Sequence, residues 1–178
     1  MQVSVGENMK KAVLISIQPK WCEKICNKIG ENTDGSPIYE KRVEVRKSRP
    51  KLDTPFPVYI YQTKKTWVYN IFSKIADWQG KVIGEFVCDE IIVAELGHYC
   101  NIPCKKAQLD ILDLMDYADE KTVYGWHISN LVIYDEPKEL SEFSSGSSVF
   151  TFDDKGKIVY SGMKRPPQSW CYVEELSE

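Results

Sequence analysis

The chain has 178 residues, a net charge of -3, and a composition that is 43% hydrophobic and 12% aromatic. That size suits one globular domain, and the acidic balance argues against a protein that coats duplex DNA by charge alone, although a small basic pocket on an acidic body stays open. No run approaches ~18 consecutive apolar residues, so nothing reads as a membrane span. The opening "MQVSVGENMKKAVLISIQP" has too short an apolar stretch for a secretory signal, so a cytoplasmic location is expected. The six cysteines then read as reduced thiols or metal ligands before disulfides.

Residues 1–11 read as a loose tail, and 12–178 as a single domain. "AVLISI", Ala12 to Ile17, has strand length. Pro19 suits the first turn of a helix, and Trp21, Cys22, Ile25, Cys26 and Ile29 form one apolar stripe that Gly30 closes. "ENTDGSP" is a turn-rich loop. "YEKRVEVRK" alternates, placing Arg42, Glu44 and Arg46 on one face of a strand and Val43 and Val45 on the other. "PVYIYQ" is a second strand, and the pair suggests a sheet lining a cleft. Thr66 caps a predicted helix carrying Val68, Ile71, Phe72 and Ile75, which Gly80 stops. "KVIGEFVCDEIIVAEL" reads as one long strand with a bulge or bend at Gly84. A helix follows over roughly 106–118. "YGWHISNLVIYDEP" is a strand pair or a bent strand, "KELSEF" a short turn or helix, "SVFTFDDKGKIVYSG" a hairpin, and "SWCYVEE" a closing strand. The tally of about six or seven strands and three helices in mixed order predicts an α+β fold with a curled, mainly antiparallel sheet.

These elements together resemble an ASCH domain of the PUA-like superfamily. The opening strand and helix, "VLISIQPKWCEKI", carry part of the resemblance. The family signature G-x-K-x-x-E-x-R is similar to "KRVEVR", giving Lys41, Glu44 and Arg46. "GKVIGEFVCDEI" looks like the family's central strand. "GWHISNLVIYDEPKELSEF" and "RPPQSWCYVEE" look like the tail of ASCH proteins often found in phage and prophage regions of Firmicutes. The resemblance covers Ala12 to Glu175. It departs from the pattern at Tyr39, where the signature has glycine, consistent with an insertion, "ENTDGSPIY". The resemblance implies a small mixed or antiparallel β-barrel flanked by helices. It also implies a cleft beside the first helix for RNA, single-stranded nucleic acid or a nucleotide. Some ASCH members are enzymes, including an amidohydrolase of N4-acetylcytidine and a ribonuclease. The amidohydrolase type uses a threonine where this chain has Glu44, so that activity is not expected.

The side chains suit such a cleft. Arg46 is a rigid fork that matches phosphate or carboxylate in two places, while Lys41 and Lys47 are less directional charges. Glu44 accepts from a base amino group, orients Arg46, or acts as a general base if desolvated. In that enzyme alternative, a hydrolase of nucleic acid or a modified nucleoside, Glu44 and Lys41 are the catalytic residues. The plainer alternative is an Arg–Glu pair fixing two strands, worth ~0.2–1 kcal/mol. Stacking a base is worth roughly 1–3 kcal/mol, and Trp126, Trp170 and Tyr59 are the candidate surfaces, although tryptophans in strands are usually core. Lys164, Arg165 and Gln168 add a rim, with Gln168 able to bond a base edge. His98, Cys100 and Cys104 are weak metal candidates, since zinc normally takes four ligands and only three stand together here. Cys22 and Cys26 fall on the helix stripe as small hydrophobes. The aspartates at 110, 113, 116 and 119 read as the wet face of a helix. No cofactor is implied, and a protein-interaction module of a phage or its host is a further alternative.

Overall fold

The computed structural model describes residues 11–64, 75–95, 101–145, 150–152, 154–156, 158–160 and 162–176. The tail 1–10, the helix expected from Thr66, and His98 and Cys100 lie outside the described residues. A five-stranded sheet is built from β1 (Lys11–Ile17), β5 (Phe56–Gln62), β6 (Val82–Cys88), β9 (Ser129–Lys138) and β12 (Trp170–Glu174), in the order β12-β1-β5-β6-β9. Only the β1–β5 pair in it is parallel. β4 (Val43–Arg46), β8 (Val123–His127) and β7 (Ile91–Ala94) form an antiparallel three-stranded sheet, β4-β8-β7. β2 (Lys28–Glu31) pairs with β3 (Pro37–Tyr39), and β10 (Phe150–Phe152) with β11 (Ile158–Tyr160). With α1 (Pro19–Cys26), α2 (Cys104–Ala107) and α3 (Ile111–Ala118), this is the expected α+β arrangement of mixed sheets and few helices.

The apolar runs decide the layers. β1 and β5 are buried over nearly their whole length, as continuous apolar strands should be when both faces are covered. On one face Val13, Ile15, Val58, Ile60 and Phe86 pack with Cys22 and Ile25 of α1 and with Trp126 of β8, which joins the two sheets. On the other, Leu14, Tyr59 and Tyr61 pack beneath Leu140 and Phe143. A third cluster seats Val43, Val45 and Val123 against Ala107 of α2 and Leu114 and Ala118 of α3. No helix among the described residues is long and apolar enough to cross a membrane.

Several expectations need correction. α1 ends at Cys26 rather than running to Gly30. Asn27 turns to extended backbone, and Lys28–Glu31 pair with Pro37–Tyr39. The insertion is therefore a β-hairpin, with Gly35 at φ 82° in its turn. β4 and β5 are not neighbours: β4 pairs with β8, and β5 with β1 and β6. The long strand over 81–96 is two strands, parted at Asp89 and Glu90, and each half joins a different sheet. Gly84 does mark a register shift, between Val82 and Gly84 in the β6–β9 pairing. The segment 123–138 is likewise two strands in two sheets, β8 and β9, and the predicted helix over 106–118 is α2 and α3, broken at Gln108 in left-handed conformation.

Candidate nucleotide cleft

A cleft of about 640 Å³ opens between α1, β4 and α3. Its floor is the signature strand. Glu44 and Arg46 share a face of β4, and Lys41 precedes it; all three line the cleft. The start of the strand is tied on both sides, since Lys41 N–H donates to Lys24 O of α1 (3.0 Å) and Arg42 N–H to Lys106 O of α2 (2.7 Å). β4 is buried on both faces, so its carboxylate is out of water: Lys41 is 2% exposed and Glu44 6%.

The charges on the floor are matched to one another. Arg46 Nη2 donates to the Ser16 carbonyl of β1 (2.9 Å) and forms an ion pair with Glu44 Oε1 (2.9 Å). Lys41 Nζ donates to Ala107 O (2.6 Å) and forms an ion pair with Glu44 Oε2 at 3.3 Å. Burial lowers the Lys41 ammonium pKa, and the Glu44 charge opposes that shift. Arg46 Nε is buried and donates to no acceptor.

One wall is Trp21 of α1, with two ammonium groups over its ring, Lys41 at 4.9 Å and Lys20 at 4.5 Å. Lys41 is fixed by burial, whereas Lys20 is exposed on a long stem and can give way. The opposite wall is Leu109, Asp113 and Tyr117. Gln18, Lys64 and Gln168 complete the rim. Gln168 is held there because β1 captures its neighbours: Ser16 Oγ donates to Pro167 O (2.6 Å) and Ser16 N–H to Ser169 O (2.8 Å).

The remaining residues singled out from the sequence fall elsewhere. Trp126 is fully buried and packs edge-on to Phe56, with centroids 6.0 Å apart, so it offers no stacking face. Trp170 packs on Trp126 and Tyr172 and donates to Ser48 Oγ (3.0 Å), away from the cleft lining. Tyr59 is core, against Phe143. Lys47 is exposed, its ammonium 5.1 Å from the Tyr117 ring centroid, just outside the lining. Lys164 lines a neighbouring cavity. Among the aspartates, Asp110 caps α3 by accepting from Leu112 N–H, and only Asp113 reaches the cleft. Next to Trp126, and also outside the cleft lining, His127 pairs with Asp89 at 2.7 Å. Cys104 begins α2, and no three potential metal ligands gather among the described residues. Burial raises the Cys22 and Cys26 thiol pKa values, to about 12 for Cys26, as structural thiols on a packed helix require.

Trp21 and Tyr117, the aromatic rings that do line the cleft, were not singled out as stacking surfaces from the sequence. Trp21 was assigned to the apolar stripe of α1, and its half-burial at the stripe's edge is what leaves a face available. Its neighbour Lys20 was the available signal.

This geometry can be set against known proteins. The ASCH protein of Zymomonas mobilis superposes with a TM-score of 0.57 at 17% identity, over 92% of this chain and 88% of that one. Two single-substitution mutants of that protein match with TM-scores of 0.58 at 16% identity, covering 92% and 93% of this chain and 89% and 92% of theirs. The fold is that of ASCH proteins. At this identity the likeness concerns the fold alone. No protein-family profile matches the chain, and no curated protein matches its sequence. In the ASCH fold seen here, the inserted hairpin β2–β3 adds no residue to the cleft lining.

Proposed function

We propose that the ASCH-type cleft binds RNA, single-stranded nucleic acid or a nucleotide, with a base on the floor and phosphate at the rim. The observation that carries this reading is the lining of the cleft: the aromatic rings of Trp21 and Tyr117 with the amides of Gln18 and Gln168 and the ammonium groups of Lys20 and Lys64. The rings suit the face of a base, and the amides can pair with its edge. Lys41 and Arg46 have their charges engaged by Glu44, so the cations left for phosphate are Lys20 and Lys64 at the rim. The cleft's volume falls within the range of about 300–1,000 Å³ usual for small-molecule sites. The phage or prophage setting belongs to the same reading and rests on the sequence motifs.

Nucleoside monophosphates and short RNA and DNA oligomers, titrated at two ionic strengths, test it. Binding that weakens with salt is expected. Failure of every probe to bind at the lower ionic strength overturns it.

The desolvation of Glu44 in the cleft lining favours a second reading, a hydrolase with Glu44 as general base and Lys41 and Arg46 stabilising developing negative charge. Glu44→Gln separates the two. For a binding protein the variant loses about fivefold in affinity, with no turnover to lose. For an enzyme, turnover of a labelled RNA collapses while binding largely survives. A protein-interaction module is the reading that the exposed Ile111, Leu112 and Met115 of α3 would favour.

A further inference from the structure

We infer that the ligand is a strand longer than one nucleotide, passing from the Glu44 cleft across Lys64 into a second cavity. The inference rests on the nucleotide reading above and names the ligand's length. The second cavity, about 760 Å³, shares Thr63 and Lys64 with the cleft, so the two adjoin at the end of β5. Its walls include Tyr61, Leu140, Met163 and Pro166, an apolar surface that suits a sugar or base face. Lys64 and Lys164 supply the cations. Glu139, the acidic group in its lining, is paired with Lys81 at 2.7 Å, which lowers its repulsion of a phosphate.

Lys64 is seated for this role by the turn beside it. Gly80 has φ 85°, its N–H donates to Gln62 O (2.7 Å), and a Cβ at Gly80 would stand 2.3 Å from Lys64 Cε. The lysine stem therefore lies directly on a glycine. A phosphodiester joining a base in the first cavity to a unit in the second meets Lys64 on the way. A mononucleotide has no second unit to place there.

Affinities of a nucleoside monophosphate and of RNA and DNA trinucleotides, measured by calorimetry on wild type and on Lys164→Glu, test the inference. Lys164 is exposed and outside the first cleft, so the variant keeps its mononucleotide affinity, which also reports that it is folded. Wild type binds one or both trinucleotides about tenfold tighter than the mononucleotide, and Lys164→Glu erases most of that gain. Equal affinities in wild type, or a gain that Lys164→Glu leaves intact, overturn the inference alone. No binding of any probe to wild type overturns the nucleotide reading and the inference with it. The RNA and DNA arms report which sugar the groove accepts.

Discussion

Lys41 shows how a charge comes to be useful inside a small acidic protein. Its ammonium is buried, and its water is replaced by the Ala107 carbonyl, the Glu44 carboxylate and the Trp21 ring. Such a cation contributes little net attraction, because desolvation offsets the Coulomb term, but its removal strands the partner left behind. Lys41→Met is therefore expected to lower stability by about 3 kcal/mol in urea unfolding, with the slope unchanged. Adding Glu44→Leu to it should deepen the loss rather than recover it, because Arg46 then loses its carboxylate. A Lys41→Met protein as stable as wild type would mean that the Arg46 pair alone compensates Glu44. The role of Lys41 in the cleft is thus to hold Glu44 in place, its ammonium on Oε2 while Arg46 takes Oε1.

At the scale of elements, the site depends on strands changing sheets at defined corners. Gly84 lies where β9 crosses β6 closely: a Cβ there would stand 2.3 Å from Val132 O and 3.1 Å from Ile133 Cα. Backbone cannot yield as a flexible side chain does, so Gly84→Ala should cost about 1–3 kcal/mol, read as a lowered thermal midpoint. An unchanged midpoint would show that the bulge relaxes freely. Period and turn chemistry made this glycine legible in the sequence, along with β1, β5, β12 and the alternation that puts Glu44 and Arg46 on one face of β4. The exchange of strands between sheets was not legible. β6 and β7 read as one run because both are apolar, and only tertiary pairing parts them at Asp89 and Glu90. The end of α1 was missed for a similar reason, since Ile29 continues the helical stripe but stands 58% exposed in a hairpin strand. The tryptophans are the hardest to place from sequence: Trp126, in a strand, joins the two sheets from within the core, while Trp21, on the apolar stripe of α1, forms a wall of the cleft.

At the scale of the whole molecule, a net charge of -3 is compatible with the proposed anionic ligand through spatial sorting. The aspartates of α3 face outward except Asp113, and the rim cations Lys20 and Lys64 stand over a floor whose own charges are paired internally. Long-range attraction is therefore weak, and the proposed binding draws on close contact: a base against Trp21 and phosphates at the rim. These two contributions respond differently to salt, since stacking releases no counterions and phosphate contacts do. The most direct test is the salt dependence of binding of a labelled single-stranded RNA oligomer to wild type and to Trp21→Ala. The account predicts that log affinity falls linearly with log salt for both proteins, with the Trp21→Ala line about tenfold weaker and parallel to the first. Coincident lines, or no binding by wild type at low salt, would contradict it.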